Sequence, residues 1–148
     1  MRIVQAFAAF SVLGLAACGA PAASPDSPAQ VTEAVTEDTR LVAALSYADW
    51  CGSCKVLDPK LAAIRTGEPI DGVAHVVLDF TEKDEVAYFA AADEAGIGEA
   101  VRNYYDEGVG TGLLLLVDLD DGEVVSVVRK DMTEADIRAA LETAAAAA

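Results

Sequence analysis

Apolar positions fall into blocks whose spacing changes along the chain. Leu41-Val42-Ala43-Ala44-Leu45-Ser46-Tyr47 is almost continuously apolar, the pattern of a strand covered on both faces. From about Cys51 the period lengthens to that of a helix running through Leu57, Leu61 and Ile64 toward Arg65, with Gly67 and Pro69 as its stop. Val73 to Phe80 predicts a second strand. Thr81-Glu82-Lys83-Asp84 has the form of a capping box and predicts a helix with Val86, Phe89 and Ala90 on one face, ended by Gly96. Ile97, Val101, Tyr104 and Tyr105 repeat at helical spacing up to Gly108. Strand Leu113–Asp118, a turn at Asp120-Asp121-Gly122 and strand Glu123–Arg129 read as a hairpin. Thr133-Glu134-Ala135-Asp136 caps a last helix with Ile137, Ala140 and Leu141 inward, and the Ala144–Ala148 run extends it. The order β-α-β-α-α-β-β-α predicts an α/β domain: a central mixed sheet with helices on both faces.

The pattern ahead of Leu41 is of another kind. Arg2 precedes an apolar run from Ile3 to Leu15, too short for a comfortable permanent span, and the run ends in small residues. Its last four residues, Leu15-Ala16-Ala17-Cys18, resemble the lipobox of bacterial lipoproteins. That resemblance implies cleavage before Cys18 and lipidation of its thiol. Gly19 follows where an aspartate would retain such a protein at the inner membrane of enteric bacteria, which favours the outer membrane. The stretch from Gly19 to Gln30 holds Pro21, Pro25 and Pro28 and no large apolar residue, so it reads as a tether. Val31 to Thr39 is acidic and weakly patterned, and a short lead-in helix is expected there. The domain reading is therefore a signal peptide at 1–17, a lipidated cysteine and flexible tether at 18–40, and a folded domain at 41–148.

Composition narrows the chemistry. At 148 residues one domain is the natural size, and 10 Lys+Arg against 25 Asp+Glu give a net charge of −15. No basic stripe exists to displace phosphate counterions, so no nucleic-acid partner is expected. With Cys18 committed to lipid, the remaining thiols are Cys51 and Cys54. Two thiols separated by two residues at a helix start can close a small disulfide loop. The first lies where free backbone N–H groups and the helix dipole favour a thiolate, which makes it the attacking group, and the second resolves the mixed disulfide. Gly52 and Ser53 are small and permit the tight turn. Trp50 can shield the pair and offer a flat contact to a bound peptide, while Lys55 adds positive charge that Asp49 opposes. Haem attachment requires a histidine directly after the second cysteine, where Lys55 stands, and structural zinc requires a second ligand pair. The one histidine, His75, lies in the second strand and reads as an ordinary strand residue.

Trp50-Cys51-Gly52-Ser53-Cys54-Lys55, with Pro59 five residues beyond the second cysteine, resembles the active-site helix of the thioredoxin family. The likeness runs from about Leu41 to the C-terminus. Tyr47-Ala48-Asp49-Trp50-Cys51 is especially similar to the C-terminal periplasmic domain of transmembrane thiol:disulfide interchange reductases. The resemblance implies a thioredoxin fold, Cys51 as nucleophile, Cys54 as its resolving and disulfide partner, and Pro59 bending the helix. Two departures follow. The family usually places a cis-proline in the loop facing the disulfide; here that loop is Val109-Gly110-Thr111-Gly112-Leu113, with Gly112 at the proline position beside Thr111. A trans, glycine-specific loop is expected, and its lack of a ring opens the sulfurs to a metal ion. Leu45 stands where thioredoxins keep a buried acid, so slower exchange is expected. The Ile97–Tyr105 helix reads as an insertion.

These readings converge on a periplasm-facing lipoprotein of the bacterial envelope. Its expected activity is thiol–disulfide oxidoreductase on protein thiols and disulfides, as a reductase rather than an oxidase, with no cofactor. A monomer is expected, with a transmembrane thiol relay as electron donor. The alternative is a soft-metal module that uses the same dithiol to bind or deliver Cu(I). Against it, Met132 is the only methionine outside the leader and no methionine-rich stretch exists. A merely structural disulfide does not require Trp50 and Lys55 in this pattern.

Overall fold

Strand β1 (Leu41–Tyr47) is an inner strand of the sheet and is buried along most of its length. The computed structural model describes residues 32–148; the expected leader, Cys18 and most of the expected tether lie outside the described residues. The chain continues as α1 (Gly52–Thr66), β2 (Val73–Asp79), α2 (Glu85–Glu94), α3 (Gly98–Tyr104), β3 (Leu113–Asp118), β4 (Glu123–Val128) and α4 (Glu134–Ala147). The strands form a 4-stranded sheet in the order β2-β1-β3-β4. β1 is parallel to β2 and antiparallel to β3, and β3 is antiparallel to β4. This is the predicted mixed sheet.

Alternation along β1 explains why it has no polar face. Leu41, Ala43 and Leu45 point into a core shared with Leu57 and Leu61 of α1 and Ile137 and Leu141 of α4. Val42 and Ala44 point the other way, toward Tyr88 and Ala92 of α2 and Val101 of α3. Helices therefore cover both faces, and a strand between two cores must be apolar on both sides. The β3–β4 turn is built as its sequence suggests: the buried Asp118 carboxylate accepts the N–H groups of Asp120 and Asp121 at 2.8 and 3.3 Å, and Gly122 takes the left-handed turn position at φ 67°. Thr133 and Asp136 form the predicted capping box at the start of α4, and Ala144 and Ala145 are buried in its last turn.

Two expectations are corrected. α2 begins at Glu85 rather than at Thr81, because Asp84 is its cap, its carboxylate accepting from the N–H groups of Val86 and Ala87. Lys83 has φ 57°, a left-handed conformation that no helix starting at Thr81 could contain. The buried face is then Tyr88 and Ala92, while Val86 is 82% exposed and Ala90 faces solvent. The lead-in is not helical either. Thr32 and Glu33 lie along the outer edge of β2: Glu33 donates its N–H to the His75 carbonyl at 2.7 Å, and Thr32 Oγ1 accepts from the Val77 N–H at 3.0 Å. An edge strand leaves backbone groups unpaired, and this extended segment satisfies them.

Glu33 also binds the strap to the body of the domain. One carboxylate oxygen accepts the His75 N–H at 2.9 Å and the other meets Arg65 Nη2 at 3.0 Å. His75 beneath it is partly buried, and that desolvation lowers its pKa below the usual 6.5 against the smaller opposing pull of Glu33. The unfolded chain takes up this proton near pH 6.5 and the folded chain only at lower pH. Stability is therefore full above about pH 6.5 and falls as pH drops through the window below it, levelling when the folded imidazole also protonates. Melting temperature is expected to decline as pH falls below about 6.5, and His75→Gln to remove this part of the decline. The exposed Asp93 and Asp136 carboxylates, held below 3.8 by Arg102 and by Thr133, act only in a more acidic window. An equal decline in the His75→Gln protein would overturn the assignment.

Candidate active site

Cys51 and Cys54 form a disulfide at the N-terminus of α1. The chain leaves β1 through Ala48, Asp49 and Trp50 in a turn closed by the Cys51 N–H donating to the Ala48 carbonyl at 3.1 Å. Cys51 is the helix cap: its backbone is extended, at φ −81° and ψ 111°, and its sulfur accepts the Cys54 N–H at 3.1 Å. No acidic residue occupies the first turn of α1. The Cys54 N–H and the positive end of the dipole thus act on the Cys51 sulfur, and no carboxylate lies in that first turn. Cys51 is 5% exposed and Cys54 1%, so both are buried and Cys51 keeps the larger share of exposure.

The flanking residues split into those that shape the pair and those that surround it. Trp50 is about half exposed at 49% and is held by its indole N–H donating to the Thr81 carbonyl at 2.9 Å, while Lys83 Nζ lies 5.2 Å over its ring. One face of the indole is thus occupied by that ammonium. Thr81 also accepts the Asp49 N–H at 3.1 Å and donates its hydroxyl to Asp79. Thr81, which sequence reasoning assigned to a helix cap, instead ties the active-site turn to the end of β2. Lys55 is exposed and Pro59 lies inside α1, where it withholds one backbone N–H from the helix. Gly52 has open space around the position of a Cβ, so the turn does not demand glycine there.

Gly112 is different. It lies across from the disulfide at φ 81°, and a Cβ added to it would stand 2.5 Å from Ser53 Cβ and 3.1 Å from Cys51 Sγ. Its N–H donates to the Ser46 carbonyl at 2.7 Å. The loop carrying Thr111 and Gly112 therefore packs directly on the sulfurs, in the trans, glycine-specific form expected, with no cis peptide bond among the described residues. Leu45 is 2% exposed and belongs to the α1–α4 core, with no acid in its place. The residue sequence reasoning missed is Ser46. A serine near the end of a strand otherwise made of apolar side chains was the available signal. It is fully buried, and its hydroxyl lies 2.9 Å from the Tyr88 hydroxyl and 2.5 Å from the Gly110 carbonyl.

Among the described residues no group of three or more His, Cys, Asp or Glu side chains is placed to hold a metal ion, and no helix is long and apolar enough to cross a membrane. What the arrangement can do is open and close one disulfide at a helix start. The thioredoxin family model matches residues 24–92. A comparison with curated proteins gives no match. Among solved structures the chain is similar to Trxlp from Edwardsiella tarda EIB202, at 18% identity over 69% of this chain and 82% of that one, with a TM-score of 0.45.

Proposed function

The chain belongs to the thioredoxin family, and on that premise we propose an envelope-anchored thiol–disulfide oxidoreductase that reduces protein disulfides. The observation that carries this reading is the Cys51–Cys54 disulfide at the α1 cap, with Gly112 packed against it. In the reduced protein, the Cys51 thiolate attacks one sulfur of a substrate disulfide. A Cys51–substrate disulfide forms and the substrate's other sulfur leaves as a thiolate. Cys54 then loses its proton and attacks the Cys51 sulfur, releasing the second substrate thiolate and closing the Cys51–Cys54 bond. Two electrons pass to the substrate, its two thiolates take up protons, and the protein ends oxidised.

Regeneration needs a dithiol donor of more negative potential. A transmembrane thiol relay is the fitting class, since the bacterial periplasm is kept oxidising. Support for the reductase direction is the likeness of Tyr47-Ala48-Asp49-Trp50-Cys51 to the periplasmic domain of such relays. Support for anchoring is Leu15-Ala16-Ala17-Cys18, followed by a proline-rich stretch that can hold the domain away from a membrane surface.

The test is the reduction potential of the Cys51–Cys54 pair in detergent-solubilised protein, equilibrated against defined thiol buffers. A reductase is expected at about −230 to −270 mV. A value near about −120 mV would make the protein a disulfide donor, and resistance to reduction well below about −300 mV would leave a structural disulfide.

A further inference from the structure

The loop facing the disulfide has little of its own to hold it. Residues 109–112 are neither helix nor strand, and two of them, Gly110 and Gly112, have no side chain to anchor. Both are held by Ser46. The Ser46 hydroxyl carries a single proton, which it donates to the Gly110 carbonyl at 2.5 Å. The Tyr88 hydroxyl, 2.9 Å away, must then be the donor to Ser46 Oγ. The Ser46 carbonyl accepts the Gly112 N–H at 2.7 Å and lies 3.8 Å from Cys54 Sγ. Ser46 therefore grips the loop on either side of Thr111 and also touches the covered sulfur.

The grip is dry and fixed. Ser46 and Tyr88 are fully buried, and Tyr88 is braced edge-on by Phe80 and Phe89 at 5.6 and 5.4 Å between ring centres. Tyr105, just after α3, stacks edge-on against Tyr88 at 6.2 Å. Burial holds the Tyr88 hydroxyl above the usual phenol range, so it stays protonated and able to donate. In this way α2 and α3 stand behind the loop.

We propose that Ser46 is a positioning residue that clamps the Gly110–Gly112 loop over the Cys51–Cys54 disulfide, so that Thr111 and its backbone meet the substrate in one fixed arrangement. The use of the loop by substrate rests on the oxidoreductase reading; the clamp itself does not.

The two can be tested apart. In Ser46→Ala, amide exchange at Gly112 is expected to rise about tenfold relative to Leu116 in the core of β3. KM for a disulfide-bonded peptide should rise about tenfold, with kcat within about threefold, because the interaction lost is one made in binding. Alkylation of reduced Cys51 by iodoacetamide should stay at the wild-type rate, since the Cys54 N–H and helix start are untouched. Tyr88→Phe keeps the Ser46–Gly110 bond and should give the same changes at about threefold. If Ser46→Ala does not fold, the Tyr88→Phe ratio decides. Gly112 exchange that stays put, or that rises in step with Leu116, overturns the clamp. A freed loop with unchanged KM overturns its role toward substrate. If the wild-type protein exchanges no disulfides yet Gly112 responds as expected, the oxidoreductase reading fails and the clamp stands.

Discussion

Cys51→Ser is expected to lower disulfide reduction by roughly 1,000-fold or more, whereas Cys54→Ser should leave the first step running and trap its product. The difference follows from which sulfur the helix start serves. Cys51 is the cap of α1, accepts the Cys54 N–H at 3.1 Å, and faces no acidic side chain in the first turn. A serine hydroxyl there has no ionised form near neutral pH and cannot form a disulfide, so the reaction has no entry. In Cys54→Ser the backbone N–H that supports the Cys51 thiolate remains. Attack proceeds, but no second thiol is left to release the substrate. A covalent adduct through Cys51 should therefore accumulate and be visible by intact mass, then vanish on adding a small thiol. Activity surviving in Cys51→Ser, or adducts carried by Cys54 in the wild type, would reverse the assignment of attacking and resolving sulfurs.

The parts of this site that sequence could show are those whose physical cause is local. An unbroken apolar strand, a C-x-x-C pair opening a helical period, and Asp-Asp-Gly between two strand patterns each carry their reason within a few residues. The start of α2 does not. Thr81 and Asp84 are both competent caps, and what decides between them is tertiary: Thr81 is taken by Asp49, Trp50 and Asp79 from neighbouring segments. The alanines at 87, 90, 91 and 92 then blur the face of the helix, because a methyl group fits solvent and core almost equally well. The lead-in near Glu33 misled for a similar reason. Its partners are His75 and Arg65, far along the chain, and an acidic segment without its edge strand has no reason to read as extended.

Ser46 joins the two kinds of information. Its burial is local, since it lies next to the last residue of a strand sandwiched between cores, while its purpose lies with Tyr88 and Gly110, which only the fold brings near. Helix α3 acquires a role by the same route. Tyr105 follows it directly and packs behind Tyr88, so this helix braces the loop that covers the disulfide.

Gly112→Pro is expected to damage the protein rather than restore the more usual loop of the family. Proline fixes φ near about −65°, whereas Gly112 sits at φ 81°. The substitution also deletes the N–H that reaches the Ser46 carbonyl at 2.7 Å, leaving a buried acceptor short of its partner at a cost of about 1–3 kcal/mol. Gly112→Ala separates these causes. It keeps the N–H, pays about 1–2 kcal/mol for a left-handed backbone, and adds a methyl 2.5 Å from Ser53 Cβ, where no flexible side-chain end can yield. Both variants should lower the urea midpoint, proline more than alanine, and both should slow disulfide exchange, because the loop can relieve the crowding only by moving off the Cys51 sulfur. The loop here is solved around glycine: a backbone without Cβ lies against the disulfide, and its amide closes on β1. A Gly112→Pro protein as stable and active as the wild type would mean that this loop readily adopts a second conformation, and that the fit of Gly112 against Ser53 and Cys51 does not constrain the site.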